Sequence, residues 1–298
     1  MYSAIDIGSN SIRLGIYKFE GNELNLVFKE KTTIGLAAYI EDGILSEEGI
    51  KKTCEVLLEY KDMIKKFSNQ NIYAFATASL RKAENKEQAV KYIKKVTGID
   101  VEVISGEQEG NFDFTGTIRS LKIEEGVLVD IGGGSTEVVI FRNKSVSRIF
   151  SMPIGSLDFY SKYVGLLFPN KEEITIMENK VLEELQKIDD INGEYFKDIC
   201  GVGGSIKGSM LINESIYGNQ KNTKDEMECK NVKILIEELS KMNKSNINKI
   251  LKVVPSKIHT IIPGMIILNT IIDFFKSEKI YLSKSGVREG YLYSKIKI

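Results

Sequence analysis

Apolar and polar positions along the chain change rhythm several times, and each change marks an element. Residues 2–7 read as a strand, 11–17 as a second with alternating apolar positions, and 24–34 as a third. Residues 35–45 read as a loop. From Ser46 the spacing becomes helical, with apolar positions at Ile50, Cys54, Leu57, Leu58 and Ile64. Ser46 is suited to cap that helix, and Glu47 and Glu48 in its first turn favour the helix dipole. A short buried strand at 72–76, a turn at 77–85, a helix at about 86–95 stopped by Gly98, a strand at 101–104 and a helix from 105 through 118 complete the first half.

The second half repeats the plan. Strands at 127–131, 135–142 and 144–151 form a meander with its turn at Arg142-Asn143-Lys144. A helix starts at Pro153-Ile154-Gly155-Ser156, and 171–190 is a charged amphipathic helix. A strand at 199–200 runs into the glycine-rich stretch 201–208. Helices follow at about 230–242, 246–252 and 256–276, then a strand at 279–283 and a closing helix from 286. Strands alternating with helices after an antiparallel meander describe a mixed sheet covered by helices, an α/β class. We therefore expect two domains, 1–120 joined by the closing helix 286–298, and 121–285, a division natural for a chain of 298 residues.

The repeat is sharpest in two hairpins. Strand 127–131 ends in Asp130, crosses Gly132, Gly133 and Gly134 with Ser135 and Thr136, and resumes as a second β-branched run carrying Glu137. Glycines let successive backbone N–H groups approach an anion that a Cβ would hold off, and Ser135 and Thr136 add hydroxyl donors. Asp130 is placed to hold a divalent cation, with Glu137 as a second carboxylate. A glycine-rich hairpin with an ordinary turn aspartate is the competing reading, and a second copy tips the balance. Asp6-Ile7-Gly8-Ser9-Asn10-Ser11 stands 124 residues before Asp130 on a strand of the same kind. Two phosphate hairpins on two similar halves suggest a cleft between them.

Composition narrows the functional classes. At 42% hydrophobic and 28% charged, with zero net charge, the chain has no general basic field to recruit nucleic acid, so any anion site is local. Only six of its 41 basic residues are arginines (13, 81, 119, 142, 148 and 288), which makes their positions informative. The lysine-rich stretches 61–66, 91–95 and 241–252 read as solvated helix faces. Cys54, Cys200 and Cys229 share no metal-like spacing and suggest inert thiols in a reducing compartment. No secretion signal is visible, and the apolar stretch 258–275 is interrupted by polar residues, so it reads as a buried helix rather than a membrane span. A cytoplasmic location without membrane partners is expected. His259, the single histidine, reads as packed on an apolar helix and not as a ligand.

Seven motifs then fall in order: Asp6-Ile7-Gly8-Ser9-Asn10-Ser11; Thr77-Ala78-Ser79-Leu80-Arg81 with Asn85; Ile104-Ser105-Gly106-Glu107-Gln108-Glu109; Asp130 through Glu137; Gly203-Gly204-Ser205-Ile206-Lys207; Pro263-Gly264; and Arg288-Glu289-Gly290. Together they resemble the exopolyphosphatase/guanosine pentaphosphate phosphatase family over essentially the whole chain. That family lies in the fold group of actin, sugar kinases and heat-shock-70 chaperones.

The resemblance implies two actin-like (ribonuclease H-like) domains, each a mixed five-stranded sheet flanked by helices, with an interdomain cleft. It implies Glu109, rather than Glu107, as the base that orients water for attack on a terminal phosphoryl group, with Mg²⁺ or Mn²⁺ held by Asp130 and Glu137. Phosphate would be bound by Gly8, Ser9, Asn10 and Ser11, by Gly132, Gly133, Gly134 and Ser135, by Gly204, Ser205 and Lys207, and bidentately by Arg81. Asp6 and Thr77 would support the site. Asn85 either orients its loop or touches ligand, and Arg288 either faces the cleft or pairs with Glu289.

The implied substrates are inorganic polyphosphate and pppGpp, and a second copy of the chain is kept as a candidate partner. An ATP-binding kinase or ATPase switch on the same fold is the alternative, motivated by the same phosphate hairpins. Gly110, Lys257, His259, Thr260 and Lys284 depart from the family's usual residues, which leaves substrate preference open. The additional C-terminal helical domain of longer relatives is not expected here, and with it goes some grip on long chains.

Overall fold

The structure is a computed structural model that describes residues 1–67, 71–119, 121, 123–188, 191, 193–218 and 225–296. It comprises two compact units, Met1–Gly116 with Val287–Ile298, and Thr117–Gly286.

In the first unit β1 (Tyr2–Ile7), β2 (Ser11–Glu20) and β3 (Glu23–Thr33) form an antiparallel meander. A two-residue ladder, β4 (Ile40–Glu41) with β5 (Ile44–Leu45), lies in what the sequence suggests is plain loop. Helix α1 (Glu47–Lys66) opens where Ser46 accepts the Gly49 N–H at 3.2 Å, as expected of a cap. Strand β6 (Ile72–Ala76) pairs in parallel with β1, and β7 (Val101–Val103) with β6, giving the order β3-β2-β1-β6-β7.

A short helix α2 (Ala78–Lys82) follows β6. Helix α3 (Lys86–Thr97) ends on Gly98, whose φ of +72° suits glycine. Helix α4 (Gly106–Ile118) follows β7. The alternation along β1 decides which face packs where. Ile5 and Ile7 join Leu57, Tyr60, Ile64 and Ile93 on one side, while Ala4 joins Tyr17 and Leu292 on the other. Each buried isoleucine or leucine contributes roughly 1.5–3 kcal/mol, so both faces of this sheet are held by core.

In the second unit β8 (Gly126–Ile131), β9 (Thr136–Arg142) and β10 (Ser145–Met152) repeat the meander. Helices α5 (Ser156–Tyr163) and α6 (Lys171–Gln186) follow, α6 opened by a reciprocal cap between Asn170 and Glu173. The last positions of the helix expected at 171–190, residues 189 and 190, lie outside the described residues. Strand β11 (Asp198–Val202) runs parallel to β8 and leads into α7 (Gly203–Tyr217).

The unit then adds β12 (Glu226–Glu228), α8 (Lys230–Leu239), α9 (Lys244–Val253), α10 (Ile261–Phe275) and β13 (Lys279–Leu282). The sheet order is β10-β9-β8-β11-β13-β12. The expected five strands are therefore six: β12 is three residues long, too short for a period-two pattern, and is made only by antiparallel pairing with β13.

Thirteen of the fifteen residues of α10 are buried, so its apolar character is that of a core helix. Among the described residues no helix is long and apolar enough to cross a membrane. The helix begins at Ile261 rather than near 256, because Pro255 opens a short 3-10 turn and Pro263 sits in the first turn. His259 consequently lies exposed in the connecting turn with its ring 4.9 Å from that of Tyr160, not buried on the helix. All three cysteines are buried thiols, and burial pushes that of Cys229 up to about 12. Helix α11 (Val287–Lys295) belongs to the first unit, where Leu292 and Tyr291 enter the core.

Candidate active site

The two hairpins close by the same bond. The Gly8 N–H donates to the Ser11 carbonyl at 3.1 Å, and the Gly132 N–H to the Ser135 carbonyl at 3.0 Å. Those two amides are spent on the turn rather than offered to an anion. The next carbonyls are fastened from one side. In the first unit Ser9 O accepts from the Ala37 N–H, and Asn10 O accepts from Ile34 and Gly35. In the second, Gly132 O accepts from Ser156, and Gly133 O from Leu157 and Asp158, all at the start of α5.

No peptide among the described residues is cis, and in a trans peptide C=O and N–H point oppositely. Fastening these carbonyls therefore turns the N–H groups of Asn10, Gly133 and Gly134 the other way, as an anion nest requires. The fit is close: a β-carbon on Gly155 would lie 2.2 Å from the Gly133 carbonyl.

Each hairpin also sets a charged pair across its strands. In the first unit Asp6 lies opposite Arg13, 3.8 Å from Nη1 to Oδ2. Burial pushes the Asp6 carboxyl above its usual range, while the Arg13 and Arg288 guanidiniums pull it back. In the second unit the equivalent places hold Asp130 opposite Glu137, two acids on one face of the sheet. Glu137 is buried and accepts the Ser151 hydroxyl at 2.8 Å. Two carboxylates so placed are what a divalent cation would neutralise, and they fit Mg²⁺ or Mn²⁺ bound mainly through phosphate oxygens and water. The described residues hold no group of three or more His, Cys, Asp and Glu able to cage a metal by themselves.

Helix α7 meets this hairpin at its N-terminus. Gly203 has φ +86°, and a β-carbon there would lie 2.2 Å from Oδ1 of Asp130, so only glycine lets the helix start against that carboxylate. A second lysine lies over this loop. Lys207 stands exposed on α7, whereas Lys257 lies across Gly204, whose β-carbon would be 3.0 Å from Nζ. The sequence carries that signal, since Lys257 occupies a place where the resembled family often has arginine. The Ser205 hydroxyl is buried toward Ile131 O at 3.4 Å, and the Thr136 hydroxyl donates to Ile154 O at 2.7 Å.

Glu109 and Arg81 come together in the first unit. Glu109 is the fourth residue of α4 and 7% exposed. Arg81, on α2, donates from Nη1 to Oε2 of Glu109 at 2.8 Å and to Ile104 O at 3.1 Å. Thr77 precedes α2, is buried, and donates its N–H to Ile7 O at 3.1 Å, which ties α2 to the end of β1. Asn85 resolves to loop support: its side chain donates to Leu45 O and accepts from Leu45 N, both at 2.9 Å.

Ser11 lies buried at the start of β2 with its hydroxyl 3.4 Å from that of Thr33. Burial works against the charge on Arg288, but its neighbours, the Glu289 and Asp6 carboxyls among them, outweigh it and hold the guanidinium above its usual range. Sequence reasoning misses the buried bond from the Tyr17 hydroxyl to Glu289 at 2.6 Å, because 272 residues separate its ends.

Residues 16–298 match the model of the Ppx/GppA phosphatase family. A bifunctional 3-dehydroquinate synthase/phosphatase of Fusobacterium nucleatum is 32% identical over 95% of this chain, which spans 45% of that relative's length. A putative exopolyphosphatase of Haemophilus influenzae is 24% identical, with 98% of this chain and 90% of the relative covered. The crystal structure of an Aquifex aeolicus Ppx/GppA family member superposes with a TM-score of 0.82 at 28% identity, covering 99% of this chain and 97% of that one.

Proposed function

Because the chain belongs to the Ppx/GppA phosphatase family, we propose that it is a phosphoanhydride hydrolase that removes the terminal phosphate of inorganic polyphosphate, with pppGpp as a second substrate. The observation that carries the reading is the buried Glu109 carboxylate held at 2.8 Å by Arg81. A carboxylate fixed in this way can orient a water and take its proton as the oxygen attacks phosphorus. The bond to the bridging oxygen breaks, one orthophosphate forms, and the chain leaves one phosphate shorter.

Arg81 beside Glu109 brings positive charge to the oxygens of the phosphoryl group in transfer. In the first unit the Asn10 amide with Ser9 beside it, and in the second the Gly133 and Gly134 amides with Ser135 beside them and Lys257 at the start of α7, are each suited to hold phosphate. Asp130 and Glu137 would hold Mg²⁺ or Mn²⁺, whose chemistry here is neutralisation of charge on the phosphate oxygens. Three buried thiols suit a cytoplasmic setting.

The Gly203-Gly204 start of α7 beside Asp130 also favours a second reading, an ATP-binding kinase or ATPase switch. One experiment separates them: phosphate release from polyphosphate, pppGpp and ATP, with and without Mg²⁺. Metal-dependent release from polyphosphate or pppGpp is expected. Release from ATP alone, or none, would overturn the proposal.

A further inference from the structure

Arg81 has a second side. In the first unit a cavity of about 430 Å³ is lined by Arg81 and Lys86, with Glu87, Val90, Val103, Ile104, Ser105 and Gln108 completing the wall. Glu109 is not part of it, so Arg81 is the residue shared between cavity and catalytic pair. The size falls within the roughly 300–1,000 Å³ of small-molecule sites.

Its chemistry is divided. Two cations, Arg81 and Lys86, line it, and the partly exposed Val90 and Val103 give an apolar wall. Ser105 and Gln108 are locked together, the Ser105 N–H donating to the Gln108 side chain at 2.8 Å and the Gln108 N–H to the Ser105 hydroxyl at 3.1 Å. That lock fixes the N-terminus of α4, whose positive end adds to the cations. Glu87 is the one acid in the wall.

We propose that this cavity is a second anion site that takes a phosphomonoester, its phosphate at Arg81 and Lys86 and its organic part against Val90 and Val103. Because Nη1 of Arg81 already holds Glu109, occupancy draws the guanidinium away and slows turnover. That consequence rests on the catalytic reading above; binding itself does not.

The test is calorimetric titration of the full chain with guanosine monophosphate and, separately, inorganic phosphate. Lys86→Glu should weaken binding of the monophosphate by about tenfold or more, and Glu87→Gln should tighten it. Lys86 is the first residue of α3, where a glutamate suits the helix dipole, so the variant should fold and keep its basal phosphate release. No binding of the monophosphate, affinity unchanged by Lys86→Glu, or binding of inorganic phosphate alone would each overturn the proposal. A protein that binds the monophosphate through Lys86 yet releases no phosphate would instead refute the catalytic reading and leave this site standing.

Discussion

Nη1 of Arg81 bridges Oε2 of Glu109 at 2.8 Å and the Ile104 carbonyl at 3.1 Å, so one nitrogen fixes the carboxylate against the chain just past β7. A carboxylate held this way is oriented before substrate arrives. Glu109→Gln keeps the shape and loses the proton acceptor, and kcat should fall by roughly 10²–10⁴ with polyphosphate affinity little changed. Steady-state phosphate release paired with a binding titration reads both; turnover near wild type would remove Glu109 from the role.

Arg81→Lys tests the fork rather than the charge. A lysine cannot span Glu109, Ile104 and a phosphate at once, so kcat/KM should drop by about 10- to 100-fold. The double variant with Glu109→Gln should be only slightly worse than Glu109→Gln alone, because the two side chains act as a unit.

The opposed pairs Asp6–Arg13 and Asp130–Glu137 predict different responses to metal. Asp130→Asn or Glu137→Gln should raise the Mg²⁺ concentration for half-maximal release by about tenfold or more, whereas Arg13→Gln should leave it near wild type. Metal titrations of the three variants would show it. An equal shift in all three would disprove the assignment.

Gly155→Ala places a methyl 2.2 Å from the Gly133 carbonyl, where neighbouring backbone cannot give way cheaply. The expected cost is about 1–3 kcal/mol, read as a lower urea midpoint, with loss of polyphosphate binding as the hairpin shifts.

Glu102 gives a pH dependence with a definite sign. Burial pushes its carboxyl up, but Lys295 at 2.7 Å and the Tyr291 hydroxyl at 2.8 Å outweigh this and hold it below the usual range. A depressed carboxyl contributes stability that is present above its unfolded value and is lost as pH falls through its folded one. Glu102→Gln should therefore weaken docking of α11 at pH 7 by on the order of 0.5–1 kcal/mol, and the difference should shrink as pH falls below the usual carboxylate range and vanish once it passes the depressed folded value. Hydrogen exchange of the α11 amides measures it.

What the sequence makes legible is what local pattern carries. Asp6 and Asp130 can be read as twins because each ends a strand before a glycine turn, and Ser46 can be read as a cap because its partner is three residues on. The third strand of the second meander and the stop at Gly98 follow for the same reason. What stays hidden is set by distant chain. Gly8 and Gly132 look like donors until the turn consumes their amides, and Lys207 looks nearer the loop than Lys257, which arrives from fifty residues away. Strand β12 exists only through β13, and the Tyr17–Glu289 bond joins the two ends of the described chain.

Helix α11 completes the unit that β1 begins, with the whole of Thr117–Gly286 between them in sequence. On a ribosome, the face of the first sheet that carries Ala4 and Tyr17 must wait for Leu292 while that intervening segment is made, roughly 10–30 s at ordinary elongation rates. The later-synthesised unit can thus mature first, and nascent chains stalled before Val287 should present an uncovered apolar sheet to chaperones.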